Sequence, residues 1–225
     1  ASDPGLVLAL ARFQQESLAE VYRRHAGAVF GLARRILSDQ ARAEGVDFTF
    51  DSYPYLRGFT ILAMRVLPAG FAGGRIADVL SALQDSATRD SLVRGWESAN
   101  RIEELGELLI GAAQSDDWHW TEGRTVGECA LELGTSVAHT VLDLLSGTEL
   151  AVSVITPPSE ISDELDLRLL AGRSEHMAGS DGIYVGSSPH PRGWGAFARF
   201  LGRHVRELGD WTWGEAAEQL SSRAC

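Results

Sequence analysis

The segment Met-Ala-Gly-Ser-Asp-Gly at 177–182 places one carboxylate, Asp181, among small residues directly after a strand-like run. A carboxylate at the carboxyl end of a barrel strand can reach a substrate and act on it as a general base. Gly179, Ser180 and Gly182 are small enough to leave room above this carboxylate. Ser-Asp-Gly is also a common turn sequence, so a plain turn is the alternative interpretation.

A second segment, Ser-Pro-His-Pro-Arg-Gly-Trp-Gly at 188–195, presents His190 and Arg192 on a loop that two prolines stiffen. A fixed guanidinium suits a substrate carboxylate, because it can donate two parallel hydrogen bonds to it. The alternative is a surface arginine in an ordinary ion pair.

A third segment, Asp-Ser-Tyr-Pro-Tyr-Leu-Arg-Gly at 51–58, follows the first predicted strand. Tyr53 or Tyr55 can point from it into a site. Aromatic residues beside proline also serve packing, and this interpretation stays open.

The sequence offers no recognised metal-binding motif. All 20 basic residues are arginine, which excludes a Schiff-base lysine, a phosphate-loop lysine and a lysine carbamate between two metals. Cys129 and Cys225 lie too far apart in sequence to predict a disulfide framework or a cysteine zinc cluster. His-x-His, His-Glu-x-x-His and Cys-x-x-Cys are all missing, so the residues alone predict no metal ligands.

Composition places the 225-residue chain among ordinary globular proteins, with 44% apolar and 23% charged residues. A net charge of −11 argues against a nucleic-acid coat or a protein that binds anionic membranes. No stretch approaches the roughly 18 apolar residues of a membrane span. Sparse cysteine and the lack of a positive charge before the apolar run 6–11 predict a cytoplasmic location.

Apolar periodicity predicts helices and strands in alternation, which is typical of an α/β fold. One long amphipathic helix is predicted over 18–37, and the period changes at Gly45 to a strand that stops at Pro54. Thr125 with Glu128 and Thr212 with Glu215 have the spacing of helix capping boxes. Further helices are predicted at 76–83, 102–113, 125–133, 136–145 and 197–208, and further strands at 151–155 and 176–180.

Four segments together carry a family resemblance, and they occur in the expected order and spacing. They are Ala-Glu-Gly-Val-Asp-Phe-Thr-Phe-Asp-Ser-Tyr-Pro-Tyr, His-Met-Ala-Gly-Ser-Asp-Gly-Ile-Tyr-Val-Gly, His-Pro-Arg-Gly-Trp-Gly-Ala-Phe-Ala-Arg-Phe-Leu-Gly-Arg and the closing Leu-Ser-Ser-Arg-Ala. Residues from about 41 to 225 thereby resemble the C-terminal half of N-acyl-D-amino-acid deacylases (D-aminoacylases) in the amidohydrolase superfamily.

The resemblance implies a zinc-dependent (β/α)8 TIM barrel that is a hydrolase of non-peptide amide bonds. In it, water activated by the metal attacks the amide carbon of an N-acyl-D-amino acid and releases a carboxylate and a D-amino acid. It also implies that Asp181 is the base, and that Arg192 and Tyr53 hold the substrate carboxylate.

The sequence departs from this family upstream of the Tyr-Pro-Tyr loop. The family's His-x-His strand, its bridging cysteine and two later histidines belong there, and the chain has none of them. A complete barrel takes about 250 residues, so the family-like part predicts an incomplete barrel with impaired catalysis. An alternative is a non-catalytic half-barrel that needs self-association or a partner chain to complete a sheet edge.

The first part of the chain resembles a different family. Residues 6–44, with Gln-Glu-Ser-Leu-Ala-Glu-Val-Tyr-Arg-Arg-His, are similar to the opening helix of region two in extracytoplasmic-function sigma factors. We therefore predict a helical segment at 1–44 fused to a deacylase-like fragment at 45–225, with a divergent barrel helix as the alternative. The rival function, a transcription regulator that binds RNA polymerase, is opposed by the acidic charge and the missing DNA-reading helices.

Overall fold

A computed structural model of the chain describes residues 49–71, 74–158 and 163–222. The predicted N-terminal helix, the start of the first predicted strand at 46–48 and the predicted fusion point lie outside the described residues. Helices and strands alternate through the described part, which is an α/β fold.

Five short strands and nine α-helices are assigned in the described part. The strands are β1 (Phe50–Ser52), β2 (Phe59–Ile61), β3 (Leu109–Ala113), β4 (Val152–Ile155) and β5 (His176–Ala178). The helices are α1 (Leu62–Val66), α2 (Ile76–Gln84), α3 (Ser86–Ser98), α4 (Ile102–Gly106), α5 (Val126–Leu133), α6 (Val137–Gly147), α7 (Glu164–Ala171), α8 (Arg192–Arg199) and α9 (Trp213–Leu220). A π-helical run, Phe200–Glu207, continues α8, and two 3-10 turns lie at Ala69–Phe71 and His119–Thr121.

The chain divides into two compact units. The first contains the described residues of Phe59–Thr156 together with Gly186–Ser188. The second contains the described residues of 49–58, 157–185 and 189–222.

The first unit has a three-stranded sheet in the order β2-β4-β3, with both neighbours antiparallel to β4. Its core is aliphatic, and α6 contributes Ala138, Val141, Leu142, Leu144 and Leu145 to the buried surface. Ser136 caps α6 by accepting the backbone N–H of His139. This helix matches its sequence prediction, because the apolar residues recur at three- and four-residue steps.

Helix α5 begins and ends as the sequence predicts. Thr125 and Glu128 each accept a backbone N–H from the other, which makes a complete capping box. Gly134 ends the helix in the left-handed region at φ 65°, where a residue without a Cβ meets no steric cost.

The predicted helix at 102–113 is wrong in its second half. Helix α4 stops at Gly106, and Leu109–Ala113 is strand β3. The run Leu-Leu-Ile-Gly-Ala-Ala is continuously apolar, and a fully buried strand has the same pattern as a buried helix. Helix α3 was missing from the prediction, because only Leu92 and Trp96 are buried along it.

The second unit contains one parallel pair, in which β1 lies beside β5 with Phe50 opposite His176 and Ser52 opposite Ala178. A TIM barrel has parallel strands, and among the described strand pairs only this one is parallel. Strands of three to five residues carry no directional signal in their sequence, so the antiparallel sheet of the first unit was not predictable from periodicity.

Aromatic stacking forms the core of the second unit. The ring of Phe200 stacks on Trp211 with centroids 5.0 Å apart, and Trp211 donates through Nε1 to the carbonyl of Ala171 at 3.0 Å. Thr212 and Glu215 form the second predicted capping box and start α9. No described helix is long and apolar enough to cross a membrane.

Two leucines give a matched test of the first unit's core. Leu142 on α6 is 0% exposed and Leu131 on α5 is 84% exposed. Leu142→Ala is expected to lower the free energy of unfolding by about 2–5 kcal/mol, because it leaves a cavity. Leu131→Ala is expected to change it by less than about 0.5 kcal/mol. Urea unfolding of both variants measures the difference, and equal effects would contradict the assigned core.

Candidate functional site

The three residues predicted from the sequence lie together in the second unit. Because β1 and β5 are parallel, their carboxyl ends meet at one edge, where Tyr53 follows β1 directly and Asp181 follows β5. Arg192 is the first residue of α8. Its Nη2 lies 2.6 Å from Asp181 Oδ2, and its guanidinium carbon lies 4.4 Å from the centre of the Tyr53 ring. The roles of these residues stay predictions.

Burial is unequal within this group. The Arg192 side chain is 2% exposed, whereas the Asp181 side chain is 60% exposed. Among the described residues, Nε of Arg192 has no hydrogen-bond partner. A buried guanidinium is costly unless anions and acceptors surround it, so this one is suited to a further acceptor.

Helix α8 holds the Tyr-Pro-Tyr loop along one face. Arg192, Gly195 and Arg199 recur at three- and four-residue steps and so share that face. Arg199 donates through Nε to the carbonyl of Pro54 at 2.7 Å, and its guanidinium carbon lies 5.1 Å from the centre of the Tyr55 ring. Two arginine–tyrosine stacks therefore fix the loop that carries Tyr53.

Glycine is required where this loop meets the helix. A methyl group on Gly195 would lie 2.5 Å from Oη of Tyr55, closer than van der Waals contact allows. The helix can approach the tyrosine only because position 195 lacks a side chain.

His190 is buried against the Tyr-Pro-Tyr loop. Its ring centre lies 5.3 Å from that of Tyr55 and 6.2 Å from that of Tyr53, and Nδ1 accepts the backbone N–H of Arg192 at 3.0 Å. Burial, followed by the positive charge of Arg192, lowers the pKa of His190 to about 4, against the opposing effect of a hydrogen bond with the Arg57 backbone. The imidazole is therefore neutral at physiological pH.

The small residues around Asp181 have a different use from the predicted one. The sequence suggested open space above the carboxylate, but a methyl group on Gly179 would overlap the carboxylate of Asp51. A methyl group on Gly182 would lie 2.8 Å from Oη of Tyr184, which donates to the carbonyl of Gly193 at 2.7 Å. These glycines allow close approach of chain segments. Asp181 itself has φ 44°, a left-handed conformation that non-glycine residues seldom adopt.

The described residues do not fit the metal centre that the family resemblance implies. No group of three or more His, Cys, Asp or Glu side chains among them can hold a metal ion. His176 contacts Ser52 through Nε2 at 2.8 Å and Gln219 through Nδ1 at 3.2 Å, and His204 contacts Asp210 at 2.9 Å. Burial raises the pKa of the Cys129 thiol to about 11, which disfavours the thiolate that a metal needs.

A cavity of about 480 Å³ lies in the first unit, among Gln114, His119 and Glu122. The Glu122 side chain is 3% exposed and accepts the backbone N–H groups of Ala113 at 2.8 Å and Ser187 at 2.6 Å. Burial raises the pKa of Glu122, but the hydrogen bonds from Ser187 and Ala113 outweigh it and leave the pKa below its ordinary value. Glu122 thus holds the segment Gly186–Ser188 on the first unit, a role that sequence reasoning missed.

Comparison with solved structures gives the class of fold. The chain resembles the crystal structure of N-acyl-D-glutamate deacylase from Bordetella bronchiseptica, complexed with zinc and a phosphonate inhibitor that mimics the tetrahedral intermediate. The TM-score is 0.58 at 24% sequence identity, over 86% of this chain and 32% of that chain. The α/β fold of this chain therefore matches the fold of this deacylase structure.

Two curated proteins of Alcaligenes xylosoxydans xylosoxydans are similar in sequence. D-aminoacylase is 34% identical over 182 residues, which are 80% of this chain and 28% of the relative. N-acyl-D-glutamate deacylase is 28% identical over 169 residues, which are 75% of this chain and 25% of the relative. Most of the chain is thus similar in sequence to these deacylases, and it spans about a quarter of their length.

No family model matches the chain. The sigma-factor resemblance of residues 6–44 and the function inferred from it receive no support.

The contact between Gly195 and Tyr55 can be tested with two glycines of one continuous helical segment. Gly195→Ala is expected to lower the free energy of unfolding by about 1–3 kcal/mol, because the new methyl group displaces the tyrosine. Gly202 has no neighbouring atom within 4 Å of an added Cβ. Gly202→Ala is therefore expected to be neutral or to stabilise by up to about 1 kcal/mol. Thermal unfolding of the pair decides this, and a Gly195→Ala variant as stable as Gly202→Ala would contradict the docking of the loop.

Proposed function

We propose that the chain carries the carboxylate-recognition part of a deacylase-type site for N-acyl-D-amino acids. Arg192 and Tyr53 hold the substrate carboxylate, and Asp181 is the general base. The observation that carries the proposal is the buried Arg192 guanidinium, which contacts both Tyr53 and Asp181 at the carboxyl edge of the parallel pair. The homology to D-aminoacylase and N-acyl-D-glutamate deacylase supports this substrate class.

Binding of a carboxylate involves an exchange at Arg192. Nη2 already pairs with Asp181, while Nε has no partner among the described residues. An incoming carboxylate accepts from Nε and Nη2 together in the bidentate geometry that a guanidinium favours, and it releases Asp181. The exposed side chain of Asp181 is free to leave toward solvent. The released carboxylate then has no cation to hold it and can accept a proton.

The proposal includes the finer arrangement of the chain. We propose that residues 45–225 derive from a (β/α)8 barrel that they cover incompletely and that the protein is cytoplasmic; the predicted helical segment at 1–44 lies outside the described residues. The similarity to an amidohydrolase structure over 86% of the chain supports the barrel ancestry. The sparse cysteines support a reducing compartment.

Hydrolysis is the impaired part of the activity in this proposal. A zinc ion bound in a deacylase supplies activated water, and the described residues provide no cluster of ligands for it. In this proposal, Arg192 binds the substrate carboxylate and the Tyr53 ring covers the guanidinium. Asp181 provides the carboxylate of the general base.

The binding role proposed for Arg192 predicts that the Arg192→Lys variant binds the ligand more weakly. Lysine keeps the charge but cannot donate two parallel hydrogen bonds, so the affinity for N-acetyl-D-alanine is expected to fall about 10- to 100-fold. Arg206→Lys is the matched control, because Arg206 stacks on Trp213 and not on Tyr53. Titration calorimetry or NMR titration measures both. The primary amide of N-acetyl-D-alanine is the control ligand, and it is expected to bind neither the wild type nor either variant.

Two results would overturn this assignment. Equal binding of the acid and its amide would mean that no carboxylate is recognised. Equal losses in Arg192→Lys and Arg206→Lys would mean that the effect is not local to Arg192.

The hydrolytic role gives a separate prediction. The 225-residue chain with added zinc is expected to hydrolyse N-acetyl-D-amino acids negligibly, and Arg192→Ala is expected to change turnover little. Measurement of released D-amino acid, with metal content determined on the same protein, tests this. Robust hydrolysis that Asp181→Asn abolishes would reveal a metal site that the described residues do not include.

A non-catalytic half-barrel that needs a second chain is the other candidate. The observation that favours it is the edge strand β2, whose Ile61 is exposed and which pairs only with β4 among the described strands. Unpaired strand edges tend to associate. Light scattering decides it, since a monomer at all concentrations would rule out self-association.

A further inference from the structure

We propose that His190 is a positioning residue, which fixes Arg192 at the start of α8 and ties it to the Tyr-Pro-Tyr loop. The inference rests on the carboxylate-binding role proposed for Arg192. The sequence placed His190 on a loop without giving it a task, and its contacts supply one.

The first contact orders the backbone of Arg192. Nδ1 of His190 accepts the Arg192 N–H at 3.0 Å, and the side chain is 2% exposed. An asparagine side chain makes the same connection in an Asx turn, where its oxygen accepts the N–H two residues ahead. Pro191, the residue that precedes α8, makes no side-chain capping bond. His190 therefore satisfies one of the orphan amides at the start of this helix.

The second contact reaches the other loop. Because Nδ1 is an acceptor, the proton of the neutral ring is on Nε2, and interaction with the Arg57 backbone opposes the lowering of the His190 pKa. The ring of Tyr55 packs edge to face against the imidazole of His190, with the two ring centres 5.3 Å apart. One imidazole thus joins the start of α8 to the chain segment that carries Tyr53.

The charges that face His190 keep this arrangement in one protonation state. Arg192 and Arg57 oppose protonation, Asp181 favours it, and the rings of Tyr53 and Tyr55 lie against the imidazole. Burial and Arg192 are the largest effects, and they hold the pKa at about 4. Protonation would remove the acceptor at Nδ1 and add a positive charge beside Arg192. The held conformation is therefore present above the folded-state pKa and is lost as pH falls through it.

Two substitutions separate positioning from packing. His190→Asn keeps an acceptor for the Arg192 N–H but has no ring that titrates. His190→Phe keeps an aromatic ring of similar size but has no acceptor. If His190 only fills space, Phe is the better replacement, and if it positions Arg192, Asn is the better one.

The experiment is an NMR titration of the full chain with N-acetyl-D-alanine between pH 7.5 and pH 4. We expect His190→Phe to weaken binding about 10-fold at pH 7.5, because the Arg192 amide loses its partner. His190→Asn is expected to stay within about 3-fold of the wild type at that pH. Wild-type affinity is expected to fall as pH drops from 5 to 4, and the fall should be smaller in His190→Asn. The control readout is the backbone amide shift of Arg192 without ligand, which should titrate with the His190 ring.

The outcomes distinguish this inference from the proposed function. In one outcome, the wild type binds the ligand, Arg192→Lys does not, and His190→Phe binds normally at every pH. The positioning role of His190 is then wrong, and the proposed function stands. If no protein binds the ligand, the proposed function fails, and the ligand-free titration decides alone. An Arg192 amide that is insensitive to the His190 titration would overturn the inference in either case.

Discussion

The candidate site depends on a single constraint, which is that the charged guanidinium of Arg192 lies almost fully out of water. Removing such a charge from solvent costs several kcal/mol unless an anion and hydrogen-bond acceptors replace the water. Asp181 supplies the anion at 2.6 Å, and the Tyr53 ring covers the guanidinium at 4.4 Å. The Tyr-Pro-Tyr loop and the loop after β5 converge on Arg192 because each provides one of these partners.

The same constraint explains the glycines of this region. Gly195 lets α8 approach Tyr55, and Gly182 lets the turn after Asp181 approach Gly193 and Tyr184. A side chain at either position would push a loop away from the helix and leave the guanidinium short of a partner. Tight packing here preserves an electrostatic arrangement. A methyl group added at Gly195 would therefore disturb the partners of the Arg192 guanidinium as well as the packing against Tyr55.

The sequence is a good guide to local structure in this chain and a poor guide to pairing. Both predicted capping boxes are present. They could be predicted because each depends on two residues only three positions apart in sequence. The clustering of Tyr53, Asp181 and Arg192 was predictable, since two of them follow strands and the family resemblance links all three. The strand at Leu109–Ala113 and the antiparallel direction of its sheet were not, because a continuous apolar run has neither a helical nor a strand period. The role proposed for His190 depends on its contact with Tyr55, more than 130 residues away in sequence, and no local pattern contains that contact.

The pairing of Asp181 with Arg192 also limits how the site can work. One carboxylate cannot neutralise the guanidinium and at the same time serve as a base beside a substrate whose carboxylate occupies the same guanidinium. In the proposed function, binding of an anionic ligand and release of Asp181 are therefore one exchange, in which a carboxylate of the ligand replaces a carboxylate of the protein. A neutral amide offers no replacement charge, so it leaves Asp181 in its ion pair with Arg192. In the proposed site, recognition of the carboxylate is then a condition for freeing Asp181 as the base, in addition to its contribution to affinity, and this follows from the ion pair between Asp181 and the buried Arg192.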